Sequence, residues 1–173
     1  MSDRQSTTQM LSALVEKRLK SHRMFWAPEV SFDKSTRDYR RIDYVAFKPH
    51  TPNFYPEPTS VELGLFECYE VKSCMADFTS GHGLTFYGDR NYLVTTAEFA
   101  EELRVKGLTP HNIDGVLIPN KPCTALISKY ANENIQMLAQ SYRKRNASEM
   151  LWAIMRANHH YDIETNEGGA RDE

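Results

Sequence analysis

Residues 65–78 read LFECYEVKSCMADF. Leu65, Phe66, Tyr69 and Val71 put apolar side chains on both faces of an extended segment, as a central strand requires. The spacing predicts a strand over Leu65–Lys72 that carries Glu70 and Lys72 at its end. Side chains two apart on a strand project to the same face, so Glu70 and Lys72 stand together. Charges at the end of an otherwise buried strand need a physical reason. Upstream, Arg41–Phe47 (RIDYVAF) predicts the preceding strand, and Asp43 on it can reach the same place. Two carboxylates brought together under partial burial are costly unless a cation lies between them. A hard, oxygen-preferring ion such as Mg²⁺, with Mn²⁺ as a substitute, suits such donors. Lys72 beside them can orient water or stabilise charge developing on a phosphate.

Outward from this pair the chain alternates between element types. Met10, Leu11, Leu14, Val15 and Leu19 recur at helical spacing, predicting an amphipathic helix over Thr8–Ser21 after a frayed polar start. Phe25–Phe32 (FWAPEVSF) favours a strand, and Pro28 assigns it to an edge or a bulge. Lys48–Ser60 holds Pro49, Pro52, Pro56 and Pro58 and is expected to be a loop. Ser73–Ser80 reads as a short helix or turn closed by Gly81 and Gly83. Asn91–Thr95 is a further strand. Thr95 with Glu98 fits a capping box for a helix through Phe99, Ala100 and Leu103, ending at Gly107. Gly115–Ile118 and Thr124–Ser128 are short strands. Ser148 is placed to cap a last helix bearing Met150, Leu151, Ile154 and Met155 on one side. These elements predict an α/β domain over residues 1–161, a central mixed sheet flanked by helices, with an acidic disordered tail at 162–173.

Composition narrows the function classes. The 173 residues are 40% hydrophobic and 25% charged, which is ordinary for a water-soluble domain. A net charge of -2 neither favours nor excludes a polyanion partner, because binding needs a local basic surface. Cys68, Cys74 and Cys123 form no CxxC pair, which disfavours zinc and redox motifs and suits a reducing, cytoplasmic location. No apolar run approaches a membrane span of about 20 residues. The histidines are scattered; His159 and His160 are adjacent, but neighbouring helical residues diverge by about 100°.

The runs RRIDYVAF, FECYEVKSCMADF and GDRNYLVTTAEFAEEL together resemble the PD-(D/E)XK nuclease superfamily, and within it small phage and prophage proteins and the MmcB-like DNA-repair proteins. The motif E-V-K-S-x-x-A-D-F at Glu70–Phe78 is much more specific than E-x-K alone. The resemblance spans roughly residues 12–128. It implies a restriction-endonuclease-like core and a metal-dependent DNA nuclease acting in repair, replication or recombination, encoded by a phage or mobile element. It further implies Asp43, Glu70 and Lys72 as catalytic residues, and Asp43, Glu70, Val71 and Glu16 as the metal set. Ile42 stands where the pattern has proline, and 27 residues separate Asp43 from Glu70, more than in the tightest members.

Some roles stay open at this level. Glu16 is either an additional acid near the metal or part of a solvated helix face. Ser73 either approaches the phosphate or caps the short helix. Asp77 is expected to cap the turn and Asp89 to start a strand. Lys34, Arg37, Arg40 and Arg41 form one basic cluster and Arg143, Lys144 and Arg145 another. Tyr39, Tyr44 and Tyr142 are available for stacking on bases. DNA is the expected partner; a homodimer is compatible with cutting two strands, although no interface stripe stands out. The competing reading is a catalytically silent module of the same fold that binds DNA or a host protein.

Overall fold

A computed structural model describes residues 3–50, 57–80, 83–131 and 143–159. Six strands form one open sheet in the order β1 to β6, with β1 Phe25–Phe32, β2 Arg40–Lys48, β3 Leu65–Val71, β4 Arg90–Val94, β5 Gly115–Pro119 and β6 Leu126–Ala131. The β1–β2, β2–β3 and β5–β6 pairs are antiparallel, whereas β3–β4 and β4–β5 are parallel. Helices α1 (Asp3–Ser21), α2 (Glu57–Glu62), α3 (Met75–Phe78), α4 (Ala97–Val105) and α5 (Ala147–His159) complete the chain. The expected mixed α/β architecture with a helix-flanked sheet is what the fold shows. No described helix is long and apolar enough to cross a membrane.

Strand alternation sorts the core into layers. Tyr69 and Val71 of β3 face α1, joining Leu11, Leu14, Val15 and Leu19 with Tyr44, Ala46, Tyr92 and Val94. Phe66 and Cys68 of the same strand face the other way, toward α5, with Ile42, Val45, Phe47, Met150 and Ile154. Helix α4 covers the neighbouring part of that second face, where Phe99, Ala100 and Leu103 meet Leu93, Val116 and Ile118. Burying each large apolar side chain stabilises the fold by roughly 1.5–3 kcal/mol. The two-faced apolar character of β3 follows from its place near the middle of the sheet, with a helical layer on each side.

At the sheet edge, β1 tolerates Pro28 because its outer side needs no partner strand. Helix α5 covers part of that edge: Arg156 donates to the Ser31 carbonyl at 3.2 Å and Asn158 to the Trp26 carbonyl at 2.9 Å. Such side-chain bonds satisfy carbonyls that would otherwise invite another strand.

Several sequence expectations change. Helix α1 starts at Asp3, a turn or more before Thr8, so the polar start is helical. Helix α2 occupies the end of the stretch expected to be a loop; residues 51–56, with Pro52 and Pro56, lie outside the described residues. Thr96, not Thr95, caps α4: its Oγ1 accepts from the Phe99 amide at 3.2 Å, while Thr95 is fully buried. The Asn146 side chain, not Ser148, accepts from the Glu149 amide at 2.8 Å and starts α5. Met155 is 53% exposed and Trp152 50%, because the buried face of α5 runs through Ala147, Met150, Ala153 and Ile154. Strand β6 is Leu126–Ala131, shifted from Thr124–Ser128 because Asn120 and Thr124 form a hydrogen-bonded turn first. Tyr142, His160 and the 162–173 tail lie outside the described residues.

Candidate active site

Antiparallel pairing of β2 and β3 runs from Lys48↔Leu65 to Tyr44↔Tyr69. Beyond that rung the partnership changes character. The Val71 amide, on β3, donates to the Asp43 side chain at 2.8 Å instead of to a backbone carbonyl. The carboxylate of Asp43 thus reaches from β2 to the end of β3 and is held there. Lys72, just past β3, keeps its amide on the Val94 carbonyl at 3.0 Å, so the backbone under its side chain stays in register with β4.

Glu70 is the unusual residue. It is fully buried, one carboxylate oxygen accepts from the Thr85 amide at 3.2 Å, and the other finds no hydrogen-bond partner among the described residues. An ionised carboxylate in that position is strongly disfavoured. Burial, then the negative charge of Asp43, push the Glu70 carboxyl up to about 8, with Lys72 opposing. Burial also raises Asp43 above its usual range, against the pull of the Val71 amide and Lys72. Lys72 is itself buried, at 5% exposure, and lies 4.0 Å from Asp77. Asp77 therefore faces the lysine and is not the cap of α3; Cys74 is the N-cap residue there, without a side-chain bond. Ser73 likewise caps nothing: its hydroxyl accepts from Thr8 of α1 at 3.2 Å.

Gly83 closes the site from the loop that precedes β4. Its backbone has φ +80°, and a Cβ there would come within 2.6 Å of the unpartnered Glu70 oxygen and 2.8 Å of the Lys72 ammonium. Only glycine combines that conformation with that approach.

The site opens into a cleft of about 790 Å³. Asp43, Val71, Lys72 and Gly83 form its base; Tyr39, Arg40, Arg41 and Glu29 line the β1–β2 side; Thr8 and Ser12 come from α1. The cluster Arg40–Arg41 and the ring of Tyr39 thus border the cleft, as does Tyr44. The second basic cluster goes elsewhere. Arg143 bonds the carbonyls of Glu62 and Gly64 and stacks on Phe66; Arg145 pairs with Asp33 and Glu149 over Tyr87. Those arginines fasten the segment before α5 to the sheet. Asp89 accepts from the Phe66 amide at 2.8 Å, tying the start of β3 to the approach of β4.

Glu16 lies one helical turn beyond Ser12 and does not line the cleft. It accepts from the Tyr44 hydroxyl at 3.3 Å and sits 3.6 Å from Lys20. Of the four residues expected around a metal, the structure brings Asp43, Glu70 and Val71 together and leaves Glu16 outside the cleft lining, bonded to Tyr44 at its border. Among the described residues there is no group of three or more His, Cys, Asp or Glu side chains in ligating geometry. The donors present still suit a hard cation in one respect: a buried carboxylate oxygen without a partner, beside a second carboxylate, is the kind of atom a cation satisfies.

Glu29 was not anticipated. It has φ +52° in the middle of β1, between the rungs Pro28↔Tyr44 and Val30↔Ile42, and so stands across from Asp43. Its carboxylate is 2.8 Å from Arg41. Although the side chain is 58% exposed, partial desolvation in the cleft raises its carboxyl; Arg41 opposes the rise and Asp43 adds to it. The only sequence sign was an acid directly after a strand proline, which aligning the two strands would have set opposite Asp43. Comparison with family models, curated proteins and solved structures finds no significant match for this chain.

Proposed function

We propose that the chain is a metal-dependent DNA nuclease with a restriction-endonuclease-like core, hydrolysing phosphodiester bonds in repair, replication or recombination. The observation that carries this reading is the buried, half-satisfied Glu70 carboxylate set beside Asp43 and Lys72, which themselves line an arginine-bordered cleft. A fold maintains such a costly cluster when a ligand or a reaction uses it.

Asp43, Glu70 and Val71 are the residues that would hold Mg²⁺ or Mn²⁺. When bound, the metal supplies a water of lowered pKa and neutralises phosphate oxygens. The chain's own groups do the rest. The Val71 amide fixes Asp43, and the Thr85 amide fixes one oxygen of Glu70, so neither carboxylate has to reorganise during reaction. Lys72 is held in place by the Val94 pairing beneath it and presents its ammonium where charge builds up on the phosphate. Arg40 and Arg41 keep the phosphate chain along the cleft, and Tyr39 offers a ring to an unstacked base.

The test uses purified protein with plasmid, single-stranded and branched DNA in Mg²⁺ or Mn²⁺, beside Lys72→Ala. Metal-dependent cleavage is expected, slowed on the order of 10²-fold or more by the substitution with little change in binding. DNA binding without cleavage on every substrate would instead identify a silent binding module. Cleavage unaffected by Lys72→Ala would refute the assignment of the site.

A further inference from the structure

We propose that Arg41 is a substrate-phosphate site of this cleft and that Glu29 is its built-in competitor, holding the guanidinium until a nucleic-acid phosphate displaces it. This rests on reading the cleft as a phosphodiester site and adds a named contact and a threshold for occupying it.

Arg41 and Asp43 are two residues apart on β2, which places the guanidinium next to the reaction centre without belonging to it. Arg41 is close enough for its charge to lower the Asp43 carboxyl against the effect of burial. A phosphate lying over Asp43 and Lys72 therefore has its neighbour within the reach of Arg41. The guanidinium fork matches two phosphate oxygens as well as it matches a carboxylate. At present the guanidinium Nε lies 2.8 Å from a Glu29 carboxylate oxygen, and both partners remain more than half exposed, so an incoming anion can compete for it.

Strand pairing brings Glu29 there: the rungs Pro28↔Tyr44 and Val30↔Ile42 set the residue opposite Asp43. The carboxylate lines the cleft and meets Arg41. A non-glycine residue at φ +52° within a strand is strained by roughly 1 kcal/mol or more, and the chain keeps that strain at this position. Glu29 serves as an internal stand-in for phosphate and adds negative charge where a polyanion must enter. Weakly held or isolated anions lose that competition, whereas a nucleic acid presenting several phosphates to Arg40, Arg41 and Lys72 wins it.

Fluorescence anisotropy of labelled single-stranded and duplex oligonucleotides, in EDTA so that no cleavage intervenes, tests the idea across a salt series. Glu29→Gln should tighten binding roughly 3- to 10-fold and steepen the log K against log salt slope by about 0.7–0.9, one further phosphate contact. Glu29→Gly, which also relieves the left-handed strain, should do the same; thermal melts confirm that both variants are folded. Arg41→Gln should weaken binding, and Glu29→Gln should then bring no gain in the Arg41→Gln background. A gain that persists without Arg41 reduces the effect to net charge and overturns the proposal, as does weaker or unchanged binding by Glu29→Gln, or no binding of any oligonucleotide. Loss of cleavage alone bears on the nuclease reading and leaves this one standing.

Discussion

Replacing Glu70 by glutamine should make the metal-free protein more stable at neutral pH and nearly unchanged at pH 5. An ordinary glutamate titrates at 4.5, whereas burial and Asp43 carry Glu70 to about 8. Between these values the folded chain holds a proton that the unfolded chain has released, so folding stability falls as pH rises through that window. Each pH unit is worth about 1.4 kcal/mol, which amounts to about 3 kcal/mol by pH 7 and under about 1 kcal/mol at pH 5. Asp43, raised in the same direction, adds to the slope. Glutamine keeps the shape and carries no proton to lose. In a domain of this length about 3 kcal/mol corresponds to a rise of roughly 6–12 °C in melting midpoint. Calorimetric melts of wild type and Glu70→Gln in EDTA at pH 5, 7 and 8 measure it. The wild-type midpoint should drop with pH and the variant's should drop less, by the part that Asp43 alone contributes. Mg²⁺ should raise the wild-type midpoint more at pH 8 than at pH 6 and should barely move the variant. Parallel pH profiles, or a variant less stable than wild type at pH 7, would refute the claim that burial of the Glu70 charge is costly here.

Other perturbations read different parts of the molecule. Gly83→Ala should destabilise by about 1–3 kcal/mol and abolish cleavage, because its Cβ meets Glu70 and Lys72 on a left-handed backbone; urea denaturation and the plasmid assay report both effects. Thr96→Ala should cost about 1 kcal/mol through loss of the α4 cap, while Thr95→Val should be neutral or stabilising, since the Thr95 hydroxyl is buried without a partner among the described residues; equal losses in urea melts would contradict the cap assignment. Arg145→Ala should lower stability by about 1–2 kcal/mol through its lost Asp33 and Glu149 pairs and the Tyr87 stack, yet leave oligonucleotide affinity unchanged within twofold. A large drop in affinity would return the Arg143–Arg145 cluster to the substrate surface.

The positions of the central strands were legible because periodicity speaks clearly where a strand is buried on both sides. LFECYEV can satisfy two helical layers only from within the sheet. Adjacency of Asp43 to Glu70 and Lys72 was legible too, since a strand's two-residue repeat and antiparallel neighbours leave few other arrangements. Helix ends were less legible. Thr95 and Thr96 are both good caps on paper, and the choice fell to Thr96 because Thr95 had already been taken into the buried end of β4.

The chain alone determined that charges would stand together at the end of a buried strand. That conclusion depends on local spacing, which any fold built from these strands must respect. Only the tertiary structure decided which other groups share the cleft. Glu16 stayed outside the cleft lining on Tyr44, Arg143 and Arg145 became fasteners, and Glu29 arrived from β1 opposite Asp43. Such choices depend on helix rotation and strand register. Residue identity alone leaves both free until the layers pack.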